Sequence, residues 1–177
     1  PSRCSRNGDS SGVLHSDRLW VFSPMEKISW TQLDWVDSKT PASPLFQDVY
    51  FSRSGVLEEY RHVFWEGNQL LERWASGRGN RLGELGFGTG LGFLFTWNEW
   101  LKTRPLGATL HYLSFEKHPL SPENLTRVHA LFPELRSFSR ALLEQYPPAM
   151  EGIHRLRLDS VTLTLVFGDA LEWASKI

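Results

Sequence analysis

Cysteine is almost missing from this sequence of 177 residues, where Cys4 stands alone. One thiol gives no disulfide framework, so an apolar core has to hold the fold, and a reducing cytoplasm is the expected setting. Long hydrophobic runs are missing too. No stretch approaches the roughly 18 consecutive apolar residues of a membrane span, and the N-terminus lacks the charged-then-apolar layout of a secretory signal. Neither sign of charge is in excess, with 19 Lys and Arg against 20 Asp and Glu. That balance lacks the basic signature of a dedicated nucleic-acid binder without excluding an RNA partner. No metal-ligand cluster, P-loop or nucleophile elbow is visible, and there are no internal repeats or low-complexity tracts.

Aromatic residues are plentiful, with eight Trp and eleven Phe. Hydrophobic residues make up 41% and charged residues 22%, a globular composition. The length suits one domain with a real core.

Residues 1–24 are rich in Ser, Arg and Gly and show no period, which reads as a tail, as upstream sequence read in frame before a native start at Met25, or as a short natural extension. Residues 25–80 read as a lead-in. In it Ile28 to Trp35 is strand-like and Thr40 to Pro44 is a Pro/Ser loop. Val56, Leu57, Tyr60, Val63 and Phe64 then recur at roughly helical spacing, continued by Leu70, Leu71 and Trp74. The turn-forming run Ser76–Asn80 separates this from an α/β core over residues 81–177. There the predicted order is strand Arg81–Leu85, helix Leu91–Leu101, strand Leu110–Phe115, and a helix capped by Ser121 with Pro122 at its first position. A further helix follows from about Glu134 to Gln145, then strands Ile153–Leu158 and Val161–Phe167 joined at Asp159-Ser160. Alternating strands and helices predict a parallel sheet with crossover helices.

The chemistry concentrates in Gly83-Glu84-Leu85-Gly86-Phe87-Gly88-Thr89-Gly90. A strand ends in an acid, and glycines at alternate positions open a helix, so the backbone turns sharply and a ligand can approach it. The dinucleotide fingerprint would need its third glycine at the position of Leu91. The observed G-x-G-x-G, with Glu84 two residues ahead of it, is instead the pattern of Rossmann-like S-adenosylmethionine-binding enzymes. Leu91 therefore argues against NAD or FAD at this turn, and a tight strand–helix turn without a ligand is the plain alternative. Glu116 closes the next strand, where an acid can accept both ribose hydroxyls. Asp169 and Ala170 follow the third strand, where the acid can accept an adenine amino group and the Ala170 N–H can serve a ring nitrogen. The plainer reading of Asp169 is a helix N-cap. His118 is a weaker contact candidate. The aromatic residues of Leu91–Leu101 read as core, and Arg53, Arg61, Arg73, Arg78 and Arg81 as scattered surface charge.

Three segments in order carry a family resemblance: FQDVYFSRSGVLEEYRHVFWEGNQLLERW, RLGELGFGTGLGFLFTW and LSFEKHPL. From about Ser29 onwards the chain resembles the methyltransferase domain of the bacterial bifunctional tRNA-modifying MnmC family. The resemblance implies an α/β, Rossmann-like class I S-adenosylmethionine-dependent methyltransferase fold, truncated after its third core strand. It also implies methyl transfer from S-adenosylmethionine to an aminomethyl group on the wobble uridine of tRNA. A separate C-terminal oxidoreductase domain would hold FAD. Carried over by position, Glu84, Gly86, Phe87, Gly88 and Gly90 belong to the methionine-end loop. Glu116 falls at the ribose, Lys117 beside it among the cofactor-binding residues, Asp169 and Ala170 near adenine, and Asp48 and Tyr50 in a lead-in that closes over the cofactor. The family's catalytic aspartate falls beyond Ile177, so the expectation is a poorly stable fragment with a bare apolar strand edge and no activity alone. A nucleotide-binding module or pseudoenzyme without turnover is the competing expectation.

Overall fold

A small antiparallel sheet precedes the main one in the computed structural model, which describes residues 26–51 and 55–177. The expectations for residues 1–24, Met25 and Arg53 lie outside the described residues. β1 (Asp34–Asp37) pairs with β2 (Thr40–Ser43), and β2 with β3 (Asp48–Val49). The predicted loop at Thr40–Pro44 is thus largely strand. Pro41 is tolerated because it serves as an acceptor, its carbonyl taking the Tyr50 N–H at 2.9 Å. The predicted strand at Ile28–Trp35 is mostly irregular. Its backbone lies against two loops of the core, with Ile28 N–H on the Ala149 carbonyl at 3.0 Å and Thr31 N–H on that of Pro119 at 2.8 Å. Its alternating apolar residues cover the core from outside a sheet, and Trp30 stacks on Tyr146.

The helical lead-in winds unevenly. α1 (Val56–Glu59) passes into a π-helical stretch, Tyr60–Glu66, and α2 (Leu70–Ala75) follows. The wider turn moves the apolar face away from the predicted stripe. Val63 and Phe64 are 51% and 54% exposed, while Trp65 is 5% exposed. Trp74 meets both Trp65 and Trp100 edge to face, each at 4.7 Å. Contacts of this kind stabilise by about 0.5–1.5 kcal/mol each, and this chain of rings ties the lead-in to the core.

The core follows the predicted order: β4 (Arg81–Leu85), α3 (Leu91–Thr103), β5 (Leu110–Glu116), α4 (Pro122–His129), a 3₁₀ turn at Pro133–Leu135, α5 (Arg136–Gln145), β6 (Gly152–Leu158), β7 (Val161–Phe167) and a short α6 (Ala170–Trp173). The spatial order is β4-β5-β7-β6, with β4, β5 and β7 parallel and β6 antiparallel to β7 across the hairpin at Asp159. The two-residue connection makes β6 and β7 an antiparallel hairpin, while the crossover through α3 leaves β4 and β5 parallel. α3 buries Leu91, Phe93, Leu94, Phe95, Trp97 and Trp100, as its apolar circumference predicts. Ser121 caps α4 by accepting the Asn124 N–H at 3.2 Å. β4 is one of the two outer strands, paired among the described residues with β5 alone, and its Leu85 is 79% exposed.

Candidate functional site

The site begins where β4 ends. Gly86 and Phe87 N–H groups both donate to the Phe115 carbonyl, at 2.9 and 3.0 Å, so the turn starts as a continuation of the sheet. Gly86, Gly88 and Gly90 then take left-handed φ values of 87°, 53° and 71°, where a side chain is strained. Their reasons differ. A Cβ at Gly86 would stand in open space, whereas one at Gly90 would lie 2.8 Å from the Phe87 ring. Phe87 itself is 3% exposed and packs beside Phe93 and Tyr146. Its side chain and Gly90 build the turn from below.

Glu116, at the end of β5, is buried and holds the turn from the sheet side. One carboxylate oxygen accepts the Gly88 N–H at 2.6 Å, and the other accepts the His118 N–H at 2.7 Å. Each oxygen keeps a lone pair for a further donor. It lines a cavity of about 460 Å³ together with Gly86, Gly88, Lys117, Gly168 and Ala170. The lead-in supplies the opposite wall through Phe46 and Tyr50. Phe46 meets the His118 ring edge-on at 5.6 Å, and Tyr50 lies 3.6 Å from where a Gly88 Cβ would be. Burial pushes the Tyr50 phenol up, partly offset by a hydrogen bond with Ser43. Asp48 is not brought to this cavity: it is exposed on the hairpin, its carboxylate accepting the Val49 N–H at 2.8 Å.

Asp169 fills the plainer of its two expected roles. It caps α6 by accepting the Leu171 N–H at 2.8 Å and pairs with Lys117 at 2.8 Å. That hydrogen bond raises the lysine and lowers the aspartate from their ordinary values.

Glu84 lies on the other side of Gly86. Glu84 pairs in register with Ser114, two residues before Glu116, so the two acids share a face of the sheet, yet they border different cavities that meet at Gly86. Glu84 borders a second cavity, of about 360 Å³, with Tyr60, Trp65, Gly86, Gly92 and Tyr112. Ser114 donates its hydroxyl to Glu84 at 2.7 Å. Burial pushes its carboxyl up to about 7, and burial with the nearby Glu84 charge takes Tyr60 up to about 12. A Cβ at Gly92 would come within 2.8 Å of the Glu84 carboxylate, so a fourth glycine makes room for this acid. Sequence reasoning passed over Gly92, Tyr60, Tyr112 and Phe46. The doubled spacing Gly90-Leu91-Gly92 was the available signal for the first of them.

Of the scattered arginines, Arg61 pairs with Glu99 at 3.2 Å and lies over Phe95, a structural role. Among the described residues no group of three or more His, Cys, Asp or Glu stands ready to hold a metal ion. No helix among them is long and apolar enough to cross a membrane.

A mixed sheet with three parallel strands, a glycine turn opening a helix and a buried acid closing the next strand define a Rossmann-like α/β fold of the class I methyltransferase type. The solved structure of MnmC2 from Aquifex aeolicus is similar, with a TM-score of 0.55 at 21% identity, covering 87% of this chain and 47% of that one. No family model matches the chain. The tRNA 5-methylaminomethyl-2-thiouridine biosynthesis bifunctional protein MnmC of Pseudomonas fluorescens is 52% identical over 151 residues, which is 82% of this chain and 23% of that protein. The proteins of the same name from Pseudomonas aeruginosa and Hahella chejuensis are 48% and 40% identical, each over 84% of this chain. The chain is therefore a homologue of the MnmC proteins over about four-fifths of its own length, while it spans about a quarter of theirs.

Proposed function

We propose that this chain carries the cofactor-binding part of an S-adenosylmethionine-dependent methyltransferase that modifies tRNA, methylating an aminomethyl group on the wobble uridine. The observation that carries the cofactor assignment is the hydrogen bond from the Gly88 N–H to buried Glu116, at the wall of the 460 Å³ cavity. That volume lies within the usual range for small-ligand sites, about 300–1,000 Å³. The residues fit such a ligand. Gly86 leaves open space beside the backbone, and Glu116 keeps acceptor capacity for a pair of hydroxyls. Lys117 and Asp169 neutralise each other at the rim, which suits an uncharged base better than a phosphate. Leu91 is fully buried in the core, so the position where a dinucleotide site carries its third glycine serves packing here. S-adenosylmethionine, when bound, supplies an electrophilic methyl group. The protein groups orient its nucleoside and exclude water, with Phe46 and Tyr50 of the lead-in covering the turn.

The tRNA substrate comes from the names of the homologues, which also call them bifunctional; an FAD-bearing second domain is what the family resemblance implies. Titrating S-adenosylmethionine and NADH in parallel into the purified chain tests the cofactor. Binding of the first alone supports the reading; binding of NADH alone sinks it. Methyl transfer to amine-bearing tRNA then separates an enzyme from a binding module without turnover.

A further inference from the structure

The glycine turn is held from two sides, and only one hold comes from a strand-end acid. On the other side the Thr89 carbonyl lies 2.7 Å from His129 Nε2, at the end of α4. The second ring nitrogen, Nδ1, lies 2.8 Å from the Ser139 hydroxyl on α5. Thr89, His129 and Ser139 are 4%, 3% and 6% exposed. A carbonyl can only accept, so Nε2 carries the proton and Nδ1 receives the Ser139 O–H. Burial lowers the histidine from its ordinary value and keeps the ring neutral, consistent with one proton on it.

We propose that His129 is a positioning residue of the cofactor site, fixing the Thr89–Gly90 peptide so that the turn is set before ligand arrives, with Ser139 fixing the ring tautomer. This rests on the cofactor reading above. The turn needs such a hold. Three glycines in five residues give it more backbone freedom than any other residue type would, and a loop that must order on binding loses affinity. Glu116 fixes the peptide before Gly88, and His129 fixes the peptide after Thr89. The Gly88–Thr89 peptide between them is flanked by two pinned neighbours. His129 reaches 40 residues back in sequence to the single non-glycine residue between Gly88 and Gly90.

The test compares His129→Leu, which fills the space without a donor, with His129→Gln, whose amide can still donate to the carbonyl. Leu142→Ala, on the buried face of α5, removes packing but no hydrogen bond and serves as a destabilised control. Affinity for S-adenosylmethionine is measured on folded protein, together with amide hydrogen exchange at Thr89 and Gly90 without ligand. Losing one such bond in a buried setting corresponds to about tenfold or more. His129→Leu is therefore expected to weaken binding at least tenfold and speed exchange at both amides. His129→Gln should restore most of each, and Leu142→Ala should change neither. If the leucine variant does not fold, Ser139→Ala carries the test, with an expected loss of several-fold. Equal affinity and exchange in the leucine and wild-type proteins would overturn the proposal, as would equal losses in the leucine and glutamine variants. If wild-type protein binds no S-adenosylmethionine yet the leucine variant exchanges faster at the turn and glutamine corrects it, the cofactor reading fails and the positioning role stands.

Discussion

On the β5 side of Gly86, the carboxylate of Glu116 is held by two backbone N–H groups; on the α3 side, that of Glu84 meets a hydroxyl and is walled by aromatic rings. Backbone N–H groups are donors that never change, so they fix Glu116 as a permanent acceptor in one orientation. Hydroxyls donate or accept as required, so they serve Glu84 in either protonation state. Two acids one strand apart are thus prepared for different tasks. One anchors a turn and keeps lone pairs free for a further donor. The other carries a proton near neutrality and suits a partner whose charge decides the outcome.

The comparison breaks first at Gly88. Gly88→Asp puts a side chain at φ 53°, beside the Tyr50 ring and near Glu116, and calorimetry should show S-adenosylmethionine binding lost by more than about a hundredfold. Next comes Glu116→Ala, which leaves two backbone donors unpaired. It should lower stability by about 1–3 kcal/mol in urea titration and weaken binding about tenfold or more.

Glu84 sharpens the contrast through pH. Its folded value of about 7 lies above the ordinary 4.5, so the folded state holds the proton longer than the unfolded state. Stability from this group is present below about 4.5 and falls as pH rises to about 7, by roughly 2–3 kcal/mol across the window. Glu84→Gln should flatten that slope and leave the protein more stable than wild type at pH 8. His129 acts with the opposite sign. Its folded value is lowered from 6.5, so its contribution is present above 6.5 and declines as pH falls below it. The smallest effect is expected at the rim. Lys117→Met removes an exposed ion pair and should leave the melting temperature unchanged within error while altering the salt dependence of binding.

Much of the core could be read in the sequence because its signals are local. Gly86, Gly88 and Gly90 announce a turn, Ser121-Pro122 announces a helix start, and Asp159-Ser160 joins two short apolar runs. The lead-in resisted reading because its structure depends on distant partners. Thr40–Ser43 becomes a strand through pairing with Asp34–Asp37 and Asp48–Val49, and Ile28–Trp35 is shaped by loops more than 80 residues away. The π-helical Tyr60–Glu66 breaks the 3.6-residue period on which its buried face was judged. At the site, Glu116 and the turn were legible from spacing alone. That Glu84 borders a different cavity from Glu116 required the packing of the lead-in and α3, and the contact between His129 and Thr89 required the packing of α4. The sequence did hold one hint of it, a histidine four residues after Leu125 on the buried face of an amphipathic helix.

The most direct measurement is an NMR titration of the ¹⁵N-labelled chain with S-adenosylmethionine. The expected result is saturable shifts that are largest at Gly88, His118, Gly168 and Ala170, around Glu116, with Glu116→Ala needing about tenfold or more ligand for the same shifts. Shifts confined to the outer face of α4 and α5, or none in a well-folded sample, would contradict the assignment of this cavity.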